Sequence, residues 1–191
     1  MNLLKNTQEI IERLNNGEVG ILPTDTVYGV VARASDQTAT SKINILKQRD
    51  GKPGTVVAAS IDQLVELGLK RRYLTAVEQF WPGAVSVIVP CGPELDYLHL
   101  GKQGIAVQIP DNTLLQTILA KTGPLITSSA NISDRPVANT VEDAFAYFGN
   151  AVDFYVDGGD LSSNQASTIV QVIDDYVEVI RQGAVDIPQA E

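Results

Sequence analysis

Short β-branched runs, each stopped by a proline, a glycine or a polar cluster, alternate with helix-period stretches along the chain. That alternation is the tightest constraint on the fold, because strands interleaved with helices bury their apolar sides as a sheet covered by helices. A first helix carries Ile10, Ile11 and Leu14, with Asn6 or Thr7 as its cap and Gly17 as its close. Residues 19–22 form a strand that stops at Pro23, and 40–49 form a helix with Ile43 and Leu46 inward. Strands follow at 55–59 and 84–89, with helices at 61–67 and 74–80 between them and Trp81-Pro82-Gly83 as the break. A long loop covers 91–103. Beyond it the pattern predicts strand 105–109, helix 113–120, strand 125–128, a helix capped by Thr140 and running to 148, and strand 151–156. The last two runs, 168–173 and 176–181, alternate as antiparallel arms across Asp174-Asp175. The expected fold is a single α/β domain: a twisted, mixed, largely antiparallel sheet flanked by helices, its strand ends lining one deep cleft.

Length and composition narrow the chemistry. A chain of 191 residues, 44% hydrophobic, buries one sizeable core without staples or metal. No apolar run approaches a membrane span, and the N-terminus turns polar too soon for a signal-peptide core, so the expected setting is the cytoplasm, with no membrane partner. Cys91 and His99, each the sole residue of its type, read as a loop thiol and a surface imidazole rather than a catalytic pair, and they are too few for a zinc site. The net charge of −9 repels phosphate backbones unless basic residues cluster, and Lys70-Arg71-Arg72 reads as a solvated helix end.

Polar clusters recur just after predicted strands. Pro23-Thr24-Asp25-Thr26-Val27-Tyr28-Gly29 offers two hydroxyls, a carboxylate and a phenol before a tight turn. Lys47-Gln48-Arg49, with Lys52 beyond, combines a mobile point charge with a planar fork suited to phosphate or carboxylate oxygens; spacing alone fits a solvated helix end as well. Thr127-Ser128-Ser129-Ala130-Asn131-Ile132-Ser133 supplies neutral donors, and reads equally as a polar turn. Ser167-Thr168 and Arg181-Gln182-Gly183 mark the two ends of the final hairpin. No phosphate loop of the G-x-x-x-x-G-K-[ST] kind and no G-x-G-x-x-G turn is present.

Taken in order, these segments resemble the YrdC-like family, which includes the threonylcarbamoyl-AMP synthases. Residues 23–29 resemble its P-T-[DE]-T-x-Y-G, Lys47-Gln48-Arg49 its K-x-R, Trp81-Pro82-Gly83 its W-P-G and Ser129-Ala130-Asn131 its S-A-N. Ser167-Thr168-Ile169-Val170 and Arg181-Gln182-Gly183 resemble its closing S-T-[IV]-[IV] and R-x-G. The likeness spans 8–183, leaving 184–191 as a tail, and is to the short single-domain form. It implies a nucleotidyltransferase that makes threonylcarbamoyl-AMP from L-threonine, bicarbonate and Mg-ATP. A separate transferase complex would use the product to modify tRNA beside the anticodon. On this resemblance Lys47 and Arg49 carry the catalytic charges. Thr24, Thr26, Tyr28, Gln108, Ser129 and Asn131 form the substrate pocket. Lys52, Ser167, Thr168 and Arg181 hold the nucleotide, Mg²⁺ comes with ATP, and no protein metal site is expected.

Three positions depart from the family pattern. Gln108 stands where arginine is usual, Gly54-Thr55 replaces an apolar continuation after Lys52-Pro53, and Asp134 follows Ser133 where glycine is common. Exchanging arginine for glutamine removes a charge-assisted contact, and the sequence predicts threonine weakened by about tenfold and restored by Gln108→Arg. Two other readings stay open: a double-stranded-RNA-binding module of the same fold, and a diverged paralogue with another substrate.

Overall fold

The structure is a computed structural model that describes residues 1–48, 51–173 and 176–188. Its elements run β1 (Leu3–Leu4), α1 (Thr7–Asn15), β2 (Gly20–Pro23), β3 (Tyr28–Arg33), α2 (Gln37–Leu46), β4 (Thr55–Val57), α3 (Ile61–Leu67), α4 (Arg71–Thr75), β5 (Val85–Pro90), α5 (Asp96–His99), β6 (Gly104–Gln108), α6 (Thr113–Thr122), β7 (Leu125–Ser129), α7 (Val141–Phe148), β8 (Phe154–Val156), β9 (Thr168–Ile173) and β10 (Tyr176–Arg181). Among the described residues the strands form one ten-stranded sheet in the order β1-β8-β2-β3-β7-β4-β6-β5-β9-β10. It is mixed: parallel at β1/β8, β2/β8, β4/β6 and β5/β9, and antiparallel at the other pairings.

Local chemistry sets the helix starts. Asn6, Asp36, Ser60 and Asn112 each accept from a first-turn amide, and Thr140 with Asp143 forms a reciprocal capping box. Asp36 explains why α2 starts before the expected residue 40. The helix expected at 74–80 is instead α4 followed by a 3₁₀ turn at Glu78–Phe80, and Trp81-Pro82 is a cis peptide. The expected loop 91–103 contains α5, which buries Leu95, Leu98 and His99 beneath it. His99 is therefore a core residue rather than a surface one. Its Nδ1 accepts the Gln103 amide at 3.3 Å, and its Nε2 faces the Gly92 carbonyl. Burial and Glu94 push the Cys91 thiol up to about 11, which removes the thiolate a nucleophile needs.

The sheet separates two unequal cores. Val30, Val56, Val87, Val107, Ile126 and Val170 point to one face and join a large cluster with residues of α2, α3, α4, α5 and α7. The other face is covered only in part. There α1 and α6 pack Leu14, Leu115, Ile118 and Leu119 on Val31, Val57, Leu125 and Phe154. The expected tail is tied down through residue 185: Ala184 N donates to Ala166 O, and Thr168 Oγ1 donates to Val185 O.

Candidate active site

Where α1 and α6 end, the second sheet face becomes mostly small and polar, with Ile88 and Ile169 as its apolar members. Strand registers carry that face from Gly29 and Ser129 through Thr127, Thr55 and Ala106 to Gln108, Ile88, Ser86 and Ile169. Alternation makes this possible, since all of these residues but Ser129 neighbour a core residue on their own strand. Above this floor lies a cavity of about 190 Å³, walled by Thr24–Gly29, Pro53–Thr55, Thr127–Ser129, Ala166, Ser167 and Arg181.

The turn between β2 and β3 is organised by Thr24. Its hydroxyl donates to Val27 O at 2.7 Å and accepts from the amides of Thr26 and Val27. Thr26 Oγ1 lies 2.9 Å from it. Tyr28 borders the cavity, but its phenol is committed to the neighbouring loop, donating to Gly159 O and accepting from Gly158 N, both at 2.8 Å. Gly29 must be small: a Cβ there would meet Thr127 Oγ1 at 2.6 Å.

Lys47 is buried behind Ser129 rather than solvated at a helix end. Its Nζ donates to Ser129 O at 2.5 Å and to Asn131 Oδ1 at 2.7 Å. Ser129 Oγ donates to the same Oδ1 at 2.7 Å, and Asn131 Nδ2 donates to Arg135 O. The K-x-R lysine and the S-A-N segment thus form one hydrogen-bonded unit, with Ser129 facing the cavity and Lys47 and Asn131 supporting it. Arg49 lies outside the described residues.

At the opposite wall, a bulge between Val179 and Arg181 shifts the β9/β10 register and pairs Arg181 with Ile169. Bulges re-aim a side chain in this way. Arg181 Nη2 donates to Ser167 O at 2.6 Å, and Ser167 Oγ lies 2.9 Å from Ser86 Oγ. Thr168 is absent from the cavity wall. Its hydroxyl accepts from Gly183 N and Val185 N and holds the C-terminal segment under the site. Lys52 is also outside this cavity. It is exposed, 3.9 Å from Asp134, and lines an adjoining cavity of about 530 Å³ with Ile88, Lys102, Ala106 and Ile180. The two cavities share Pro53, Gly54, Thr55 and Ile169.

Two departures from the family pattern find local reasons. Gly54 must be small, since a Cβ would sit 2.7 Å from Thr127 O. Asp134 has φ +64°, the left-handed region where glycine is at ease. Gln108 lies in the cavity floor as expected, but its amide is fully used. Nε2 donates to Asp25 Oδ2 at 2.9 Å and to Gly83 O at 3.0 Å, and Oε1 accepts from Ser86 Oγ at 3.2 Å. Gly83 belongs to Trp81-Pro82-Gly83, a segment pinned by Gly83 N to Ile109 O and Trp81 Nε1 to Val85 O. Sequence reasoning left out Asp25, although it lies between two chosen threonines. Burial, with Asp111 nearby, pushes its carboxyl up to about 6 despite the hydrogen bond from Gln108.

Comparison with known proteins places this geometry. The Sua5/YciO/YrdC family model, described as telomere recombination, matches residues 12–183. A threonylcarbamoyl-AMP synthase of Bacillus subtilis is 32% identical over 184 residues, covering 93% of this chain and 53% of that protein. One from Vibrio campbellii is 30% identical, covering 94% of this chain and 100% of its own length. Among solved structures, P. abyssi Sua5 complexed with L-threonine superposes with a TM-score of 0.82 at 23% identity, covering 95% of this chain and 56% of that one. E. coli YciO gives 0.81 at 21%, covering 97% and 95%. The chain thus spans about half of the B. subtilis and P. abyssi proteins and the full length of the V. campbellii one. By the match over residues 12–183 and by these relatives, the chain belongs to the Sua5/YciO/YrdC family.

Proposed function

We propose that this chain makes threonylcarbamoyl-AMP and pyrophosphate from L-threonine, bicarbonate and ATP, a nucleotidyl transfer that supplies a tRNA-modifying transferase in the cytoplasm. The observation that carries it is the convergence of three sequence-distant segments on one cavity: the threonine turn at 24–26, Ser129 backed by Lys47 and Asn131, and Ser167 with Arg181. A cavity of about 190 Å³ suits an amino acid and its carbamate better than a whole nucleotide. The adjoining cavity, with apolar walls and two lysines, offers the nucleotide room beside it.

Threonine's amine takes up the one-carbon unit as a carbamate, whose oxygen attacks the α-phosphate of ATP while pyrophosphate leaves. No covalent enzyme intermediate is required, and the protein's part is positioning and charge neutralisation. Ser129 and Thr26 orient the amino acid. Lys47 polarises the Ser129–Asn131 unit, and Arg49 is proposed to supply a cation for the phosphates. Arg181, its pKa lowered by partial burial, gains most from an anionic ligand. Mg²⁺ would enter with ATP, held by phosphate oxygens and water. Among the described residues no group of three or more His, Cys, Asp or Glu gathers to hold a metal, and no helix is long and apolar enough to cross a membrane. The test is release of pyrophosphate from ATP. Both threonine and bicarbonate should be required; release that proceeds without either one would overturn the assignment.

A further inference from the structure

Among the residues that line the cavity, Asp25 and Arg181 are the two that carry charge, one negative and one positive. An amino acid is a zwitterion, so the cavity already holds a counter-charge for each of its ends. Asp25 accepts from a neutral amide, Gln108 Nε2, and no ion pair among the described residues involves it. A half-buried carboxylate without a cation is poorly solvated, and a ligand cation beside it restores what burial removed. The groups acting on Asp25 are Gln108 from β6 and Asp111 just beyond β6; Arg181, from β10, lines the same cavity. Lys47 is held away behind Ser129.

We infer that Asp25 receives the α-ammonium of the substrate and takes its proton, so that the free amine forms inside the cavity. This rests on the proposed activity and names the residue that starts it. The balance is simple. The ammonium gives one proton to the Asp25 carboxylate, leaving a neutral amine and a carboxylic acid. The amine lone pair forms the N–C bond to bicarbonate, and the product is a carbamate and one water. Asp25 then returns its proton to solvent. A carboxyl that titrates at about 6 is well placed to accept and release a proton near neutral pH. Burial, with Asp111 nearby, keeps it there, and Arg181, on the cavity wall, is left to the substrate carboxylate or phosphate.

The test is the pH profile of kcat/KM for threonine, read as pyrophosphate release, for wild type, D25N, D25E and Q108R. Wild type should be flat above neutrality and fall below about 6. D25N should lose about 100-fold at pH 7, and its residual rate should climb about tenfold per pH unit toward alkaline pH, because it depends on amine already free in solution. D25E should restore the flat profile at reduced rate. Q108R places a cation beside Asp25 and should move the acid limb to lower pH. Binding of an ATP analogue should stay unchanged in D25N, which separates a lost proton acceptor from a lost fold. A D25N profile parallel to that of wild type, whatever its height, overturns the inference. Should D25N fail to fold, Q108R decides, and an unmoved acid limb overturns it. Wild type that gives no threonine-dependent pyrophosphate sinks the activity itself, a result distinct from an active wild type whose D25N variant keeps its profile.

Discussion

At the scale of single residues, burial of charge governs what substitutions do. Asp25 has its folded pKa raised from 3.8 to about 6, so the folded state binds its proton more tightly than the unfolded chain. The sign follows: stability from this group is fully present below 3.8 and is lost as pH rises through 6. Asp25→Asn, which keeps an acceptor for Gln108, should therefore stabilise the protein at pH 7.5 by about 1 kcal/mol after allowing for solvent contact, or roughly 2–4 °C in Tm, with no gain at pH 3.5. Melting curves at the two pH values check this, and an equal shift at both would contradict it. Lys47 behaves oppositely. Removing its ammonium takes one of two donors from Ser129 O and from Asn131 Oδ1 and empties a buried space, so Lys47→Ala should cost about 1–3 kcal/mol in denaturant unfolding as well as activity. The sequence marked Lys47 through its motif. Its burial was not legible, because a lysine at a helix end is ordinarily solvated. Gln108 lines the cavity, and its hydrogen bonds to Asp25 and Gly83 were not legible because they run between segments far apart in the chain.

At the scale of elements, strands and helices were mostly legible from period and caps. Strand β3 was not recognised, because Tyr28 and Gly29 were read as the end of a turn motif, although the run Val30-Val31-Ala32 behind them carries a strand signal. The bulge in β10 was equally hidden, since both arms of the hairpin alternate cleanly in sequence. That hairpin yields a prediction of its own. A Cβ on Gly183 would meet Ala166 O at 2.2 Å, and backbone cannot swing aside as a side chain can. Gly183→Ala should displace Ser167 and Arg181 together and weaken threonine binding about tenfold or more, with an ATP analogue less affected. Isothermal titration of the two ligands separates these effects, and a loss confined to the analogue would place the hairpin against the nucleotide instead.

For the whole molecule, the net charge of −9 opposes any partner with a phosphate backbone, while a small ligand needs only the local cations of its cavity. Duplex RNA should accordingly show no electrophoretic shift at 150 mM salt. A shift that weakens steeply with added salt would reveal a basic patch that net charge conceals. The larger consequence lies in the sheet face that α1 and α6 leave bare. Along β6, Gln108 faces the cavity and Ala106 the adjoining one, while Ile105 and Val107 face the core, and β4, β5, β7 and β9 repeat the scheme. Each of these strands is therefore read in a two-residue frame, like a message in which every second letter belongs to another text. Deleting one residue within β6 would carry Val107 into the cavity and Gln108 into the apolar interior, spoiling both messages at once. Substitutions can change this site one letter at a time, whereas an insertion or deletion within one of its strands exchanges the two faces at a stroke.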